Sequence, residues 1–216
     1  TGDVADLAMT FILMAPRRIG EAERFLRSGK WLQGRMDLGT TVRGKRLGIL
    51  GLGRIGRAVA RRAEVFGLNI AYYDTKPMGD LAYRSYPTLR DLAAASDMLL
   101  VACEGGAATR GLVDADVLNA LGPDGFLINT ARGPIVDQAA LVAALRDKRI
   151  AGAALDVFDG EPDVPAELMA MENVVLTPHI ASSTHETRRA MGDLVYDNLR
   201  AHFDGKQVLT PVPPQV

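Results

Sequence analysis

Three apolar runs in the second half of this chain each end in a group that can hold an anion or move a proton. The run 125–129 passes into Asn129-Thr130-Ala131-Arg132-Gly133. The run 152–157 passes into Asp156-Val157-Phe158-Asp159-Gly160-Glu161-Pro162, and the run 173–177 into Thr177-Pro178-His179-Ile180-Ala181-Ser182-Ser183. An arginine, a carboxylate and a histidine are the groups that reduction of a ketone requires. A planar cation such as Arg132 can polarise the carbonyl and grip a neighbouring carboxylate. The developing alkoxide needs a proton donor that works near neutral pH, a task suited to His179. Glu161 could orient that imidazole and stabilise its charge. The hydride itself must come from a cofactor. Singly, Arg132 reads as a surface ion-pair partner, His179 as a structural histidine and Glu161 as a solvated turn residue. Their convergence is what favours chemistry.

The cofactor has its own signature upstream. Arg46-Leu47-Gly48-Ile49-Leu50 is a short apolar strand pattern that runs into Gly51-Leu52-Gly53-Arg54-Ile55-Gly56 and then into an amphipathic helix pattern. Asp74 ends the next apolar run, about 20 residues on. Gly51 permits the tight strand-to-helix turn, Gly53 lets a pyrophosphate approach the backbone, and Gly56 lets the helix pack closely on the sheet. The helix start offers free N–H groups and a positive dipole end to phosphates. Asp74 can accept hydrogen bonds from ribose hydroxyls and repels a 2′-phosphate, although Lys76 stands close by to attract one.

These groups need a scaffold that brings strand ends together. Strands are predicted at 46–50, 69–73, 97–102, 125–129, 152–157 and 173–177, and helices at 55–66, 88–95, 114–121, 137–147 and 165–170. Alternating elements with strands apolar on both faces imply a doubly wound parallel α/β sheet covered by helices. Ligands in such sheets bind beyond the carboxyl ends of the strands. Thr88 and Asp137 read as N-caps, and Ser183 with Glu186 as a capping box opening a last helix, 184–204, that Gly205 stops. The tail Thr210-Pro211-Val212-Pro213-Pro214 cannot be helical. Ahead of the sheet lie an apolar helix at 4–14, a polar helix from 17 to 28 and an irregular arm to Gly44.

Composition narrows the class. The chain has 216 residues, 48% hydrophobic and 24% charged, as in an ordinary globular protein. Its net charge is −1 with dispersed Lys and Arg, which argues against a nucleic-acid surface. The one cysteine, Cys103, excludes an internal disulfide and fits a reducing, cytoplasmic setting. It reads as a small core hydrophobe rather than a nucleophile. No apolar stretch is long enough to span a bilayer. The apolar helix at 4–14 must be buried against something, and with the start at Thr1 it leads to the expectation that this is the larger part of a longer protein.

The motifs together resemble the D-isomer-specific 2-hydroxyacid dehydrogenases, over nearly the whole chain. Gly51 to Gly56 with Asp74 looks like the family's nucleotide fingerprint, Asn129 to Gly133 like its arginine motif, Leu155 to Pro162 like its glutamate motif and Thr177 to Ile180 like its histidine motif. The wording around Cys103, Thr109 to Val113 and Thr184 to Arg188 is most similar to the glyoxylate, hydroxypyruvate and hydroxyphenylpyruvate reductase branch. The resemblance implies a Rossmann-type fold with flanking hinge helices and with the family's first substrate domain missing from this chain. It implies a hinge helix at 1–16, a dinucleotide-binding domain at 17–183 with a dimer arm at 17–44, and a second hinge helix and tail at 184–216. It implies NAD, with NADP possible, a small 2-keto or 2-hydroxy acid as substrate, and a homodimer. Arg132, Glu161 and His179 would be the catalytic trio. The backbone of Arg54 and Ile55 would hold the pyrophosphate, Asp156 the nicotinamide carboxamide, and Thr130, Ala131, Arg132 and His179 to Ser182 the nicotinamide pocket. Cys103 and Thr109 would also touch the cofactor. Two departures stand out: Glu104 replaces a common proline, and Ala181 replaces a usual glycine where its methyl would crowd the nicotinamide. Two other readings remain open on sequence alone: a dinucleotide-sensing binding protein resembling the corepressors built on this fold, and a fragment that binds cofactor without turnover.

Overall fold

The computed structural model describes residues 1–76 and 82–212, and divides into a unit at Thr1–Ala181 and a second at Ser182–Val216. The first unit begins with α1 (Gly2–Met14) and α2 (Ile19–Arg27). Then come β1 (Arg46–Leu50), α3 (Arg54–Val65), β2 (Asn69–Tyr73), β3 (Arg84–Ser85), α4 (Leu89–Ala94), β4 (Met98–Val101) and α5 (Ala115–Leu121). It closes with β5 (Phe126–Asn129), α6 (Gln138–Arg146), β6 (Gly152–Leu155), α7 (Ala166–Ala170) and β7 (Val174–Leu176). Among the described residues the strands form one seven-stranded sheet in the order β3-β2-β1-β4-β5-β6-β7, every pair parallel. The order reverses between β1 and β4, where a doubly wound sheet opens a crevice at its carboxyl edge.

Register brings the functional residues together. Tyr73, Leu50, Val101, Asn129, Leu155 and Leu176 lie in one row across six strands. The residue after each is Asp74, Gly51, Ala102, Thr130, Asp156 or Thr177, so all six emerge at a single edge. The row is fixed by burial. β4, β5 and β6 are buried at every position, and a slip of one residue would exchange the two faces of a strand already fitted to different helices.

One face of the sheet packs Leu92, Leu118, Leu141 and Leu145 from α4, α5 and α6 against Leu99, Leu127 and Ala153. The other packs α1 and α3 through Phe11, Ile12, Val59 and Ala60 against Ile49, Leu100 and Ile128. Side chains as fully enclosed as Phe11 and Ile12 contribute about 1.5–3 kcal/mol each on burial. The apolar stretch near the start therefore finds its partner in this chain's own sheet. Thr88 and Asp137 cap their helices as anticipated, accepting from Asp91 N at 3.1 Å and Ala140 N at 3.0 Å, and Asp114 caps α5 in the same way. The short edge strand β3 has no apolar run to announce it, because only two residues pair with β2.

The second unit is built on α8 (His185–Phe203). Its cap is Thr184, which accepts from Thr187 N at 3.2 Å, so the Ser183–Glu186 capping box is corrected by one residue. Ser183 Oγ instead accepts from Arg188 Nη2 at 3.0 Å. Gly205 stops the helix at φ +69°, a conformation that favours glycine. Asn198 fastens the following segment to the helix through Thr210 N and Thr210 Oγ1, both at 3.0 Å. The last two prolines of the anticipated tail, Pro213 and Pro214, lie outside the described residues.

Candidate active site

The glycine turn meets three different constraints. Gly51 has φ +90°, and a Cβ there would stand 2.6 Å from the Cys103 backbone. A Cβ on Gly56 would stand 2.2 Å from the Gly51 carbonyl oxygen. The protein's own packing thus demands both glycines. A Cβ on Gly53 would meet nothing within 4 Å, so it faces open space before the first turn of α3. No side chain caps that helix start, which leaves the N–H groups of its first turn available to an anion. A pyrophosphate fits there, since Gly53 leaves the space clear and the helix supplies the donors. Asp74 stands beside the turn, half-buried, accepting from Leu52 N at 2.8 Å and from Lys76 N at 3.1 Å. It braces the glycine loop as well as facing the crevice.

The proposed trio assembles at the same edge. His179 Nδ1 lies 2.7 Å from Glu161 Oε2, and Phe158 N donates to the other oxygen, Oε1, at 2.8 Å. Burial pushes the Glu161 carboxyl up. The hydrogen bond from His179, the Phe158 N–H and the charges of His179 and Arg132 outweigh this and hold it below the usual carboxylate range. Glu161 is therefore an anion at neutral pH. With Nδ1 engaged, Nε2 is the ring nitrogen left to face a substrate. Arg132 is exposed and forms no ion pair among the described residues, so its cation remains available to an anionic ligand.

Neighbours that the sequence reading passed over hold these groups in place. Asn129 bridges the arginine loop: its Oδ1 accepts from Ala131 N and its Nδ2 donates to Arg132 O, both at 3.0 Å. An asparagine at a strand end is the available signal, because it favours such local turns. A Cβ on Gly105 would come 2.6 Å from Arg132 Cγ, so the loop after β4 lies directly against the arginine stem. A Cβ on Gly133 would come 1.9 Å from the Phe158 carbonyl carbon, so the arginine and glutamate loops touch backbone to backbone. Arg110 joins the loop after β4 to the glutamate loop through Asp159 at 3.2 Å.

Other expected contacts are placed differently. Asp156 is fully enclosed, and its carboxylate accepts from Thr177 Oγ1, Ile180 N and Ala181 N. These bonds turn the carboxylate onto its own chain, at the position expected to hold a nicotinamide carboxamide. Thr130 is buried at the end of β5. The Thr109 hydroxyl stays within its own loop, 2.9 Å from Glu104 O. Burial pushes the Cys103 thiol up to about 11, aided by the charges of Asp74 and Glu104 against an opposing backbone hydrogen bond. Ser182 begins the second unit. A cleft of about 660 Å³ lies at the opposite edge of the sheet around Pro16, Gly39, Phe126 and Asn173, away from the trio. Among the described residues no group of His, Cys, Asp and Glu could hold a metal, and no helix is long and apolar enough to cross a membrane.

Comparisons with known proteins show the family and the fold. The model of the D-isomer specific 2-hydroxyacid dehydrogenase NAD binding domain matches residues 9–181. Glyoxylate/hydroxypyruvate reductase A of Arabidopsis thaliana is 56% identical over 212 residues, covering 98% of this chain and 68% of its own length. Hydroxyphenylpyruvate reductase of Plectranthus scutellarioides is 50% identical with the same coverage. The solved NADPH-dependent glyoxylate/hydroxypyruvate reductase of Sinorhizobium meliloti, in complex with NADP and malonate, superposes with a TM-score of 0.94 at 49% identity. It spans 99% of this chain and 67% of its own.

Proposed function

This chain belongs to the D-isomer-specific 2-hydroxyacid dehydrogenases, and from that premise we propose that its site reduces a small 2-keto acid such as glyoxylate or hydroxypyruvate to the 2-hydroxy acid, in the D configuration where C2 becomes a stereocentre. The observation that carries the reading is the Glu161–His179 pair at 2.7 Å beside an unpaired Arg132, on the edge where the glycine turn opens. Arg132 would hold the substrate's carboxylate and polarise its ketone. His179 Nε2 would pass its proton to the ketone oxygen as C2 gains a hydride, leaving a neutral imidazole and a hydroxyl group. Glu161, anionic at Nδ1, would stabilise the imidazolium before transfer and fix which nitrogen faces the substrate. A bound reduced nicotinamide dinucleotide supplies the hydride. Backbone N–H groups at Arg54 and Ile55 would hold its pyrophosphate, and Asp74 its adenosine ribose, in preference to a 2′-phosphate.

The organisation belongs to the same proposal. Residues 1–16 act as a hinge helix, 17–183 as the dinucleotide-binding domain and 184–216 as a second hinge helix with its tail. The segment 17–44 serves as the arm of a homodimer. Its support is the exposed apolar surface of Trp31, Leu32 and Leu38, with Leu32 96% exposed. A cytoplasmic setting is supported by the single cysteine, a free thiol. The test follows loss of reduced-nicotinamide absorbance when the whole protein meets glyoxylate or hydroxypyruvate with NADH or NADPH. Tight NADH binding with no turnover of either acid would overturn the reading.

A further inference from the structure

Asp156 is the one charged side chain of this site that is completely enclosed, at 0% exposure, and the chemistry assigned to the trio does not use it. Burying a carboxylate is costly unless donors satisfy it. Here three do. Ile180 N reaches Oδ1 at 2.8 Å, Ala181 N reaches Oδ2 at 2.9 Å, and Thr177 Oγ1 donates to Oδ1. The three donors Thr177, Ile180 and Ala181 flank His179 on both sides in sequence, and the one carboxylate gathers them. His179 itself sits at φ +53°, in the left-handed region that is uncommon for residues other than glycine, and its N–H donates to Asp156 O at 2.9 Å. A turn of that shape persists only where its surroundings impose it.

The same residue reaches the other half of the site. Asp156 N donates to Asn129 O at 3.0 Å, and the Asn129 side chain clips Ala131 and Arg132. Asp156 therefore ties the histidine turn to the strand that presents the arginine. We propose that Asp156 and Thr177 are positioning residues for the proton donor, closing the turn that aims His179 Nδ1 at Glu161 and leaves Nε2 facing the substrate. This rests on the reductase reading above, but its first readout does not depend on turnover.

An amide at position 156 offers one acceptor oxygen and sets an NH₂ group among donors, so Asp156→Asn breaks the turn's pattern at unchanged size. Thr177→Val removes only the hydroxyl donor, and Thr177→Ser restores it. In NMR of the whole protein, wild type should show a downfield His179 Nδ1–H resonance that Glu161→Gln abolishes. Thr177→Val and Asp156→Asn should weaken or move it, and Thr177→Ser should retain it. In turnover, Thr177→Val should lower kcat roughly 10- to 100-fold, Asp156→Asn more, with the Kd for NADH unchanged within about twofold. The alkaline limb of kcat should move to lower pH in both. Folded variants that keep the wild-type resonance, kcat and pH profile would overturn the proposal. So would a Thr177→Val protein that fails to fold, since the pair would then hold the fold rather than the imidazole. A wild type that shows the resonance and its response but reduces no 2-keto acid would sink the reductase reading and leave this inference standing.

Discussion

Gly105→Ala tests whether the loop after β4 sets the reach of the arginine. A Cβ there would lie 2.6 Å from Arg132 Cγ and 3.0 Å from Arg132 Cβ, both near the root of the side chain rather than at its flexible end. Restoring an ordinary contact of 3.4 Å from 2.6 Å displaces one of the two by about 0.8 Å. Both partners are exposed, and Gly105 lies outside the left-handed region, so the fold itself loses little. The guanidinium, farther out on the same stem, moves at least as far. A displacement near 1 Å at a substrate-holding group costs up to about 10²-fold, so kcat/KM for glyoxylate and hydroxypyruvate should fall roughly 10- to 100-fold, about 1.4–2.7 kcal/mol of transition-state stabilisation. Steady-state kinetics, NADH titration and a thermal melt of the whole protein read the three consequences separately. The control is Gly106→Ala, whose Cβ would meet nothing within 4 Å on an extended backbone and should leave all three unchanged. If Gly105→Ala keeps kcat/KM within about twofold of wild type, the loop does not position Arg132 and the reasoning fails.

Further expectations follow from the same geometry. His179→Ala should lower kcat on the order of 10²- to 10⁴-fold while the Kd for NADH changes little; a parallel loss of NADH affinity would move the histidine from proton transfer to cofactor binding. Glu161 is held below the usual carboxylate range by its contacts, so it is anionic at working pH and favours the imidazolium. Glu161→Gln removes that anion, and the alkaline limb of reduction should move to lower pH; an unmoved limb in the pH–rate profile removes Glu161 from the mechanism. Wild type should prefer NADH to NADPH, and Asp74→Ala should erode the ratio of their kcat/KM values. Because Asp74 also braces Leu52 N, both cofactors should bind more weakly in the variant, and a wild-type preference for NADPH would contradict this assignment. With Cys103 near 11, its thiolate fraction at pH 8 is roughly 10⁻³, so native-state alkylation should run on the order of 100-fold slower than for a free cysteine. Alkylation at the free-cysteine rate, timed by intact mass, would show that burial does not protect it.

What the chain states in one dimension is what depends on near neighbours. Gly51, Gly53 and Gly56 after an apolar run, with Asp74 ending the next, specify the turn because backbone freedom and helix-start donors are local properties. The alternation of apolar runs with helical patterns likewise announces a parallel sheet, and Thr88 and Asp137 cap the helices that they precede. The convergence of Arg132, Glu161 and His179 on one edge was legible because each follows a strand, and parallel strands all end on the same side. The rest required three dimensions. β3 exists only because two residues meet the free edge of β2, a pairing without a local signature. The partner of the apolar helix α1 is a sheet surface assembled from strands far along the chain. The surroundings of Asp156 depend on where the chain runs on both sides of Pro178: a buried carboxylate binds whichever donors enclose it, and those donors are Thr177, Ile180 and Ala181. Gly105 and Gly53 make the same point from opposite sides. Sequence marks both as glycine, but only the packing shows that one faces an arginine stem and the other faces open space.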